Sequence, residues 1–354
     1  MSTLDDREKL SGGDPGGMSG HLEGFADQLR EAVRMGRETP LKESGEGVGS
    51  VAVVGMGGSA IGGSMAAGYL AGSLKVPLSV VRGYELPGYV GRKTLVYVSS
   101  YSGNTEETLS AYAEARARGA RIITSTTGGE VGRVAAQEGH DVVNVPVGYP
   151  PRAALGFSLV PLLFVLGRLG LAPDPSGDLE DTIAVVEEGV GRLGLDAPLE
   201  GNEAKNLAQW LHEHVPVVYG TVPGTSVVAS RWCGQFAENS KVVAHTNELP
   251  EMNHNEIVGW SGSRPMGGKA RVVFLRDKDD HARVARRIEI TRDEIASAGA
   301  EVREVVSRGA TKLGRLMSLV QVGDFVSLYL AVLACVDPTP VAPIDRLKKE
   351  LTRL

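Results

Sequence analysis

Residues 50–63, SVAVVGMGGSAIGG, run from a short apolar, β-rich segment straight into glycines and then into small residues. An apolar run without alternation reads as a strand buried on both faces, and a helix is expected to follow over 59–70. The same unit recurs. Strands are predicted at 78–82 (LSVVR), 94–99 (TLVYVS), 121–125 and 141–146 (DVVNVP), with a helix over 105–118. Short buried strands alternating with helices predict an α/β fold with a mainly parallel, doubly wound sheet. An apolar helix is expected at 153–169. The stretch 171–200 is richer in Asp, Pro and Gly, with an amphipathic segment at 182–193, and reads as the domain junction. Beyond it the pattern repeats: a strand at 215–219, a turn at 220–224, a helix from Thr225, a strand at 271–276, a helix at 281–298, a strand at 302–306 and a buried helix at 322–335. The expected organisation is a mobile polar tail (1–18), a first domain (19–170), an interdomain segment (171–200) and a second domain (201–354).

A chain of 354 residues, 42% hydrophobic and 23% charged, suits two domains with buried cores. Its net charge of −6 gives no support to a nucleic-acid partner. Any anion must be met locally, by backbone N–H groups and a few placed cations. Two cysteines, Cys233 and Cys335, make no disulfide framework and read as reduced thiols. The apolar runs 155–166 and 326–336 are too short to span a membrane. The N-terminal stretch lacks the apolar core of a signal peptide, so a cytoplasmic protein is expected.

The glycine-rich turn 55–63 opens a helix after a strand. Free N–H groups and the helix dipole suit an anion there, glycines let it come close, and Ser59 adds a hydroxyl. A tight turn without ligand reads the same way, and so does a dinucleotide site. The dinucleotide reading wants an acidic residue at the end of the second strand, where Arg82 stands and Glu85 is displaced into the loop. NADP stays open.

A second loop, SSYSGNTEE at 99–107, also joins a strand to a helix. Ser99, Ser100, Ser102 and Thr105 gather hydroxyls at one helix start. A helix needs only one cap, whereas a terminal phosphate has several oxygens that accept hydrogen bonds. SYSGNTEET resembles the signature loop of sugar isomerase (SIS) domains, which are phosphosugar-binding, flavodoxin-like α/β units. Such domains also serve non-catalytic sensors, so binding alone does not establish chemistry.

Aldose–ketose isomerisation needs a carboxylate to move a proton between C1 and C2, a group to open the ring and a cation for the developing charge. Metal and redox cofactors are not required, and no H-E-x-x-H or comparable ligand spacing occurs. The motifs GMGGSAIGG, SYSGNTEET, PPRAALG, AENSK, NHNEIVGW and IDRLK, in that order, resemble the bifunctional phosphoglucose/phosphomannose isomerases of archaea and some bacteria. The resemblance implies two SIS domains and an enzyme that interconverts glucose 6-phosphate and mannose 6-phosphate with fructose 6-phosphate through a cis-enediol. It implies Glu238 as the proton-shuttling base, His254 and Lys348 at ring opening and Arg152 at the enediolate. Gly57, Gly58 and Ser59, with Ser100, Ser102 and Thr105, would hold the substrate, the last three gripping phosphate. Thr339 would provide space for the second specificity. It also implies a homodimer, with His254 reaching in from the neighbouring subunit. A phosphosugar sensor and an NADP oxidoreductase are the other readings.

Overall fold

The computed structural model describes residues 3–262 and 268–351. Packing divides the chain into two units. One is Gly24–Val185 with Gly309–Leu316; the other is Met1–Glu23 with Val186–Arg308 and Met317–Leu354. The divisions fall inside or beside two long helices, Ser176–Leu193 and Lys312–Leu333. This differs from the expected boundaries: the first 23 residues join the second half, and most of 171–200 is helix rather than a loose spacer.

The first unit holds five parallel strands, β1 (Ser50–Val54), β2 (Leu78–Val81), β3 (Thr94–Ser100), β4 (Arg121–Thr126) and β5 (Asp141–Asn144), in the order β2-β1-β3-β4-β5. All seven residues of the central β3 are buried, as a strand covered on both faces requires. One face builds a core from Ala52, Val54, Val96, Val98, Tyr112 and Ile122. Val54 lies beside Val98, so β1 and β3 end side by side at one edge. The chain runs outward from β1 to β2 and then returns past β1 to β3. That reversal makes the β1/β3 edge the topological switch point, where crossover helices diverge and leave a crevice.

The second unit repeats this winding with four parallel strands, β6 (Val215–Thr221), β7 (His245–Leu249), β8 (Ala270–Arg276) and β9 (Glu301–Val306), in the order β7-β6-β8-β9. β7 was not expected from its sequence, HTNEL. It is an edge strand paired only with β6, so it lacks the apolar run that marks a central strand. Its side chains instead join a polar cluster. Tyr219 donates its hydroxyl to Glu256, Asn247 donates its amide to the same carboxylate, and His245 Nε2 lies 3.0 Å from it. Trp260 Nε1 donates to the Tyr219 hydroxyl at 3.0 Å. Burial works to raise the Glu256 carboxyl, but bonds from Tyr219, Asn247 and His245 hold it below the ordinary carboxylate value.

The helix Lys312–Leu333 is longer than the buried helix expected at 322–335. It is long and apolar enough to cross a membrane, but it lies almost wholly buried in the protein. Its second-unit part carries Asp324, which accepts from Arg231 Nε at 3.1 Å, Arg231 Nη2 at 2.7 Å and Gln235 Nε2 at 2.9 Å. Both members of this ion pair are buried. Trp232 donates to the Leu319 carbonyl at 2.9 Å, tying helix Thr225–Gln235 to the same partner.

Residues 3–17 do not form a detached tail. Leu4, Leu10 and Met18 are fully buried, and Asp6 caps the helix Arg7–Gly12. Asp5 accepts from the Leu199 N–H at 2.7 Å and lies 3.6 Å from the ammonium of Lys205, itself buried. The polar average of this stretch hides its few apolar anchors.

Two outcomes follow from these contacts. Replacing Arg231 with Met leaves Asp324 buried without its charge partner, and chemical denaturation should show a loss of about 3–5 kcal/mol. Because the folded Glu256 pKa is lowered, its contribution is present above the ordinary value of 4.5 and lost as pH falls through the folded value. Glu256→Gln should therefore be less stable than wild type near neutrality, and urea midpoints should converge on acidification below about pH 5.

Candidate active site

At the carboxyl edge of β1 and β3 two helices begin, Gly57–Leu70 and Glu106–Ala117. Neither uses a side chain as its cap: Met56 and Thr105 precede the first turns, and neither makes a capping bond. The hydroxyl cluster is thus not spent on capping. Ser100 Oγ instead faces Thr105 Oγ1 at 3.4 Å. Ser102 Oγ accepts from the Asn104 N–H at 3.3 Å, and Ser59 Oγ accepts from the Tyr101 N–H at 3.2 Å. The last bond joins the two signature loops directly. Ser59, Ser99 and Ser100 are buried at strand ends and helix starts, where polar groups are costly without partners.

Two glycines in these loops are required by close approach. A β-carbon on Gly58 would overlap the Pro151 carbonyl, so glycine lets the Pro-rich turn at 150–153 close onto the first loop. Gly103 has φ +69° and faces the Gly128 carbonyl with no room for a side chain. Asn104, inside the signature, serves structure: its side chain accepts from the Glu130 N–H at 3.0 Å.

Arg152 sits in the short turn Pro151–Ala153 and is 4% exposed. Gln28, which the sequence reading did not single out, fixes this turn. Its amide donates to the Ala153 carbonyl and its carbonyl accepts from the Gly156 N–H, both at 2.8 Å. Tyr101 reaches the same region: its hydroxyl donates to Pro146 O and accepts from Tyr149 N–H, each at 2.9 Å. A small cavity opens among Gly58, Ser59, Ser99, Tyr101, Ser125 and Phe157. The structure thus brings Gly57, Gly58, Ser59, Ser100, Ser102, Thr105 and Arg152 together on one unit.

Glu238, His254, Lys348 and Thr339 belong to the other unit. Glu238 lies half-buried on a π-helical turn, Phe236–Ser240, that continues helix Thr225–Gln235. Such turns are costly and concentrate at functional sites. Its neighbours in AENSK are anchors. Asn239 Nδ2 donates to Ser327 Oγ at 2.9 Å, and Ser240 Oγ donates to Ser327 O at 2.7 Å. With Arg231 and Gln235 on Asp324, these bonds fasten the Glu238 turn to the buried helix. Lys241 Nζ donates to Glu238 O at 2.7 Å and to Pro340 O at 2.9 Å, bringing the Glu238 turn against the Thr339 loop. His254 ends the turn Glu251–His254, and Lys348 lies on helix Ala342–Leu351; both are exposed and do not join that cluster. Burial pushes the Cys233 thiol up to about 12, which disfavours its thiolate.

The second unit's own switch point, between β6 and β8, is filled from within. Asp280 accepts from Thr221 Oγ1 at 2.9 Å and from the Asp277 N–H at 3.1 Å, with Arg276 Nε at 3.5 Å. An internal carboxylate thus takes the Thr221 hydroxyl and the Asp277 N–H at this edge.

Residues 200–351 match the family model of the bacterial phospho-glucose isomerase C-terminal SIS domain. A bifunctional phosphoglucose/phosphomannose isomerase of Caldicellulosiruptor bescii is 44% identical over 93% of this chain and 97% of its own. One from Aquifex aeolicus is 38% identical over 94% and 97%. Among solved structures, a glucose-6-phosphate isomerase like protein from Thermus thermophilus superposes with a TM-score of 0.65 at 22% identity, covering 96% of this chain and 98% of that one. The C-terminal domain of glucosamine-fructose-6-phosphate aminotransferase from Francisella tularensis gives 0.71 at 13% identity, over 91% and 98%. The structural matches establish the fold, and the two parallel α/β units are those of SIS proteins. With near-complete coverage at this identity, the chain belongs to the bifunctional phosphoglucose/phosphomannose isomerase family and is an isomerase.

Proposed function

We propose that the chain interconverts glucose 6-phosphate and mannose 6-phosphate with fructose 6-phosphate, without a metal ion, as a cytoplasmic homodimer. The observation that carries the phosphosugar reading is the pair of adjacent helix starts at the β1/β3 edge, neither capped by a side chain, with the Ser100 and Thr105 hydroxyls 3.4 Å apart at the second. Two dipoles and their N–H groups converge where a phosphate would accept. Ser100, Ser102 and Thr105 hold that phosphate, and Gly57, Gly58 and Ser59 line the sugar.

The chemistry then needs proton transfers at the ring oxygen, between C2 and C1, and between their oxygens. His254, supplied by the neighbouring subunit, and Lys348 pass a proton from the anomeric hydroxyl to the ring oxygen, opening the ring. The Glu238 carboxylate takes the C2 proton of the open aldose, and O1 gains a proton, leaving a cis-enediol with a C1–C2 double bond. Glu238 returns its proton to C1 while the C2 hydroxyl gives one up, and the ketose results. Arg152 steadies negative charge on the enediolate oxygens. Loss of the C2 proton erases the difference between glucose and mannose. Space beside Thr339 allows rotation about C2–C3, so either face of C2 is reprotonated in the reverse direction. The rigid mounting of Glu238 supports its role, because a base must meet C1 and C2 in turn without drifting.

A coupled assay of fructose 6-phosphate formation in EDTA tests this for each aldose phosphate. Wild type should turn over both, and Glu238→Gln should lower kcat by about 10²–10⁴-fold with the melting temperature retained. Binding of both sugars without turnover would indicate a sensor instead. Ser100→Ala and Thr105→Val each remove one charge-assisted bond remote from the reacting carbons. Each should raise KM about tenfold with a smaller change in kcat, and weaken competitive inhibition by inorganic phosphate in parallel.

A further inference from the structure

Glu238 and Thr339 lie far apart in the chain, yet one side chain ties their backbones together. Lys241 Nζ donates to Glu238 O at 2.7 Å, Pro340 O at 2.9 Å and Pro338 O at 3.3 Å. An ammonium carries three N–H donors, and here three carbonyls receive them. Two of those carbonyls flank Thr339. They belong to prolines, whose fixed φ makes them stiff handles on the residue between them. Lys241 itself has φ 59°, a left-handed conformation that glycine or asparagine ordinarily takes at a helix end. Keeping a lysine there carries a backbone cost that surrounding contacts must offset.

Thr339 is also held from a second side. Its N–H donates to Asp337 Oδ1 at 2.9 Å. Gly16, from the N-terminal segment, lies so close that a β-carbon there would overlap Thr339 Cβ and Oγ1. Gly16 is itself placed by a folded neighbourhood: the buried Asp14 carboxylate accepts from the Met18 N–H at 2.8 Å and the Ser19 N–H at 2.7 Å. The stretch before Met18 thus ends in a contact with the residue assigned to specificity.

We propose that Lys241 is a positioning residue that holds Glu238 and Thr339 in one fixed relation, with Gly16 as the stop against which Thr339 rests. The inference rests on the isomerase reading and on the roles given there to Glu238 and Thr339. Loosening the clamp acts on proton transfer and on the choice between C2 epimers. It leaves phosphate capture alone, because the cradle residues belong to the other unit.

The test combines steady-state kinetics on both aldose phosphates with hydrogen exchange over 236–242 and 337–341, for Lys241→Met, Lys241→Arg and Gly16→Ala. Lys241→Met should lose protection in both segments together and lower kcat about 10–100-fold, while KM stays within about twofold. Lys241→Arg should recover part of both. Gly16→Ala should change the ratio of mannose to glucose kcat/KM by about threefold or more, through displacement of Thr339 by one methyl volume. Wild-type exchange and kcat in Lys241→Met would overturn the proposal, as would loosening of only one segment. Should Lys241→Met fail to fold, an unchanged ratio in Gly16→Ala overturns it. A wild type that turns over neither sugar removes the isomerase reading, and the clamp then stands or falls on the exchange data alone.

Discussion

Parallel pairing is the constraint from which the site descends. Parallel neighbours need a crossover between them, so every strand of a unit delivers its carboxyl end to the same edge. In the first unit, returning past β1 to reach β3 sets two strand-to-helix turns side by side. Two helix starts, with their unspent N–H groups and positive dipole ends, then face one small region. The buried hydroxyls of Ser59 and Ser100 belong there because the strand edge brings them together, and the Tyr101 N–H bond to Ser59 locks the two loops into one surface.

The second unit shows what the same winding does when its edge is closed. Asp280 sits among donors at the equivalent crevice, and its side chain is buried. In this unit Glu238 stands on the π turn after helix Thr225–Gln235, and Thr339 lies on the loop at 338–340. The Glu238 turn is held by Asp324 through Arg231 and Gln235, and by Ser327 through Asn239 and Ser240. A buried ion pair contributes little net stability beside a hydrophobic replacement, and here it ties helix Thr225–Gln235, from which the turn continues, to helix Lys312–Leu333.

Several elements were legible because their patterns are local. β1 and β3 are largely apolar runs bounded by turn residues, and the two signature loops follow strands directly. β7 was hidden, since an edge strand tolerates the polar sequence HTNEL and its stability comes from the Glu256 cluster assembled by distant residues. The N-terminal segment reads as a tail from composition, which averages over Leu4 and Leu10, whose burial depends on partners far along the chain. Gln28 carried no signal at all: it stands on an amphipathic helix and matters only because Ala153 and Gly156 fold against it.

By itself the amino-acid sequence determined the α/β alternation, the parallel strand character, the positions of the two glycine- and hydroxyl-rich loops and the order of motifs that marks the family. These follow from periodicity, glycine placement and residue identity, each read within a few neighbours. Only the tertiary structure decided that the hydroxyls of the second loop are not caps, that Asp280 closes the second crevice and that Lys241 joins Glu238 to the Thr339 loop. Each depends on which backbone groups meet across long separations, and hydrogen-bond partners of that kind leave no periodic trace in the chain.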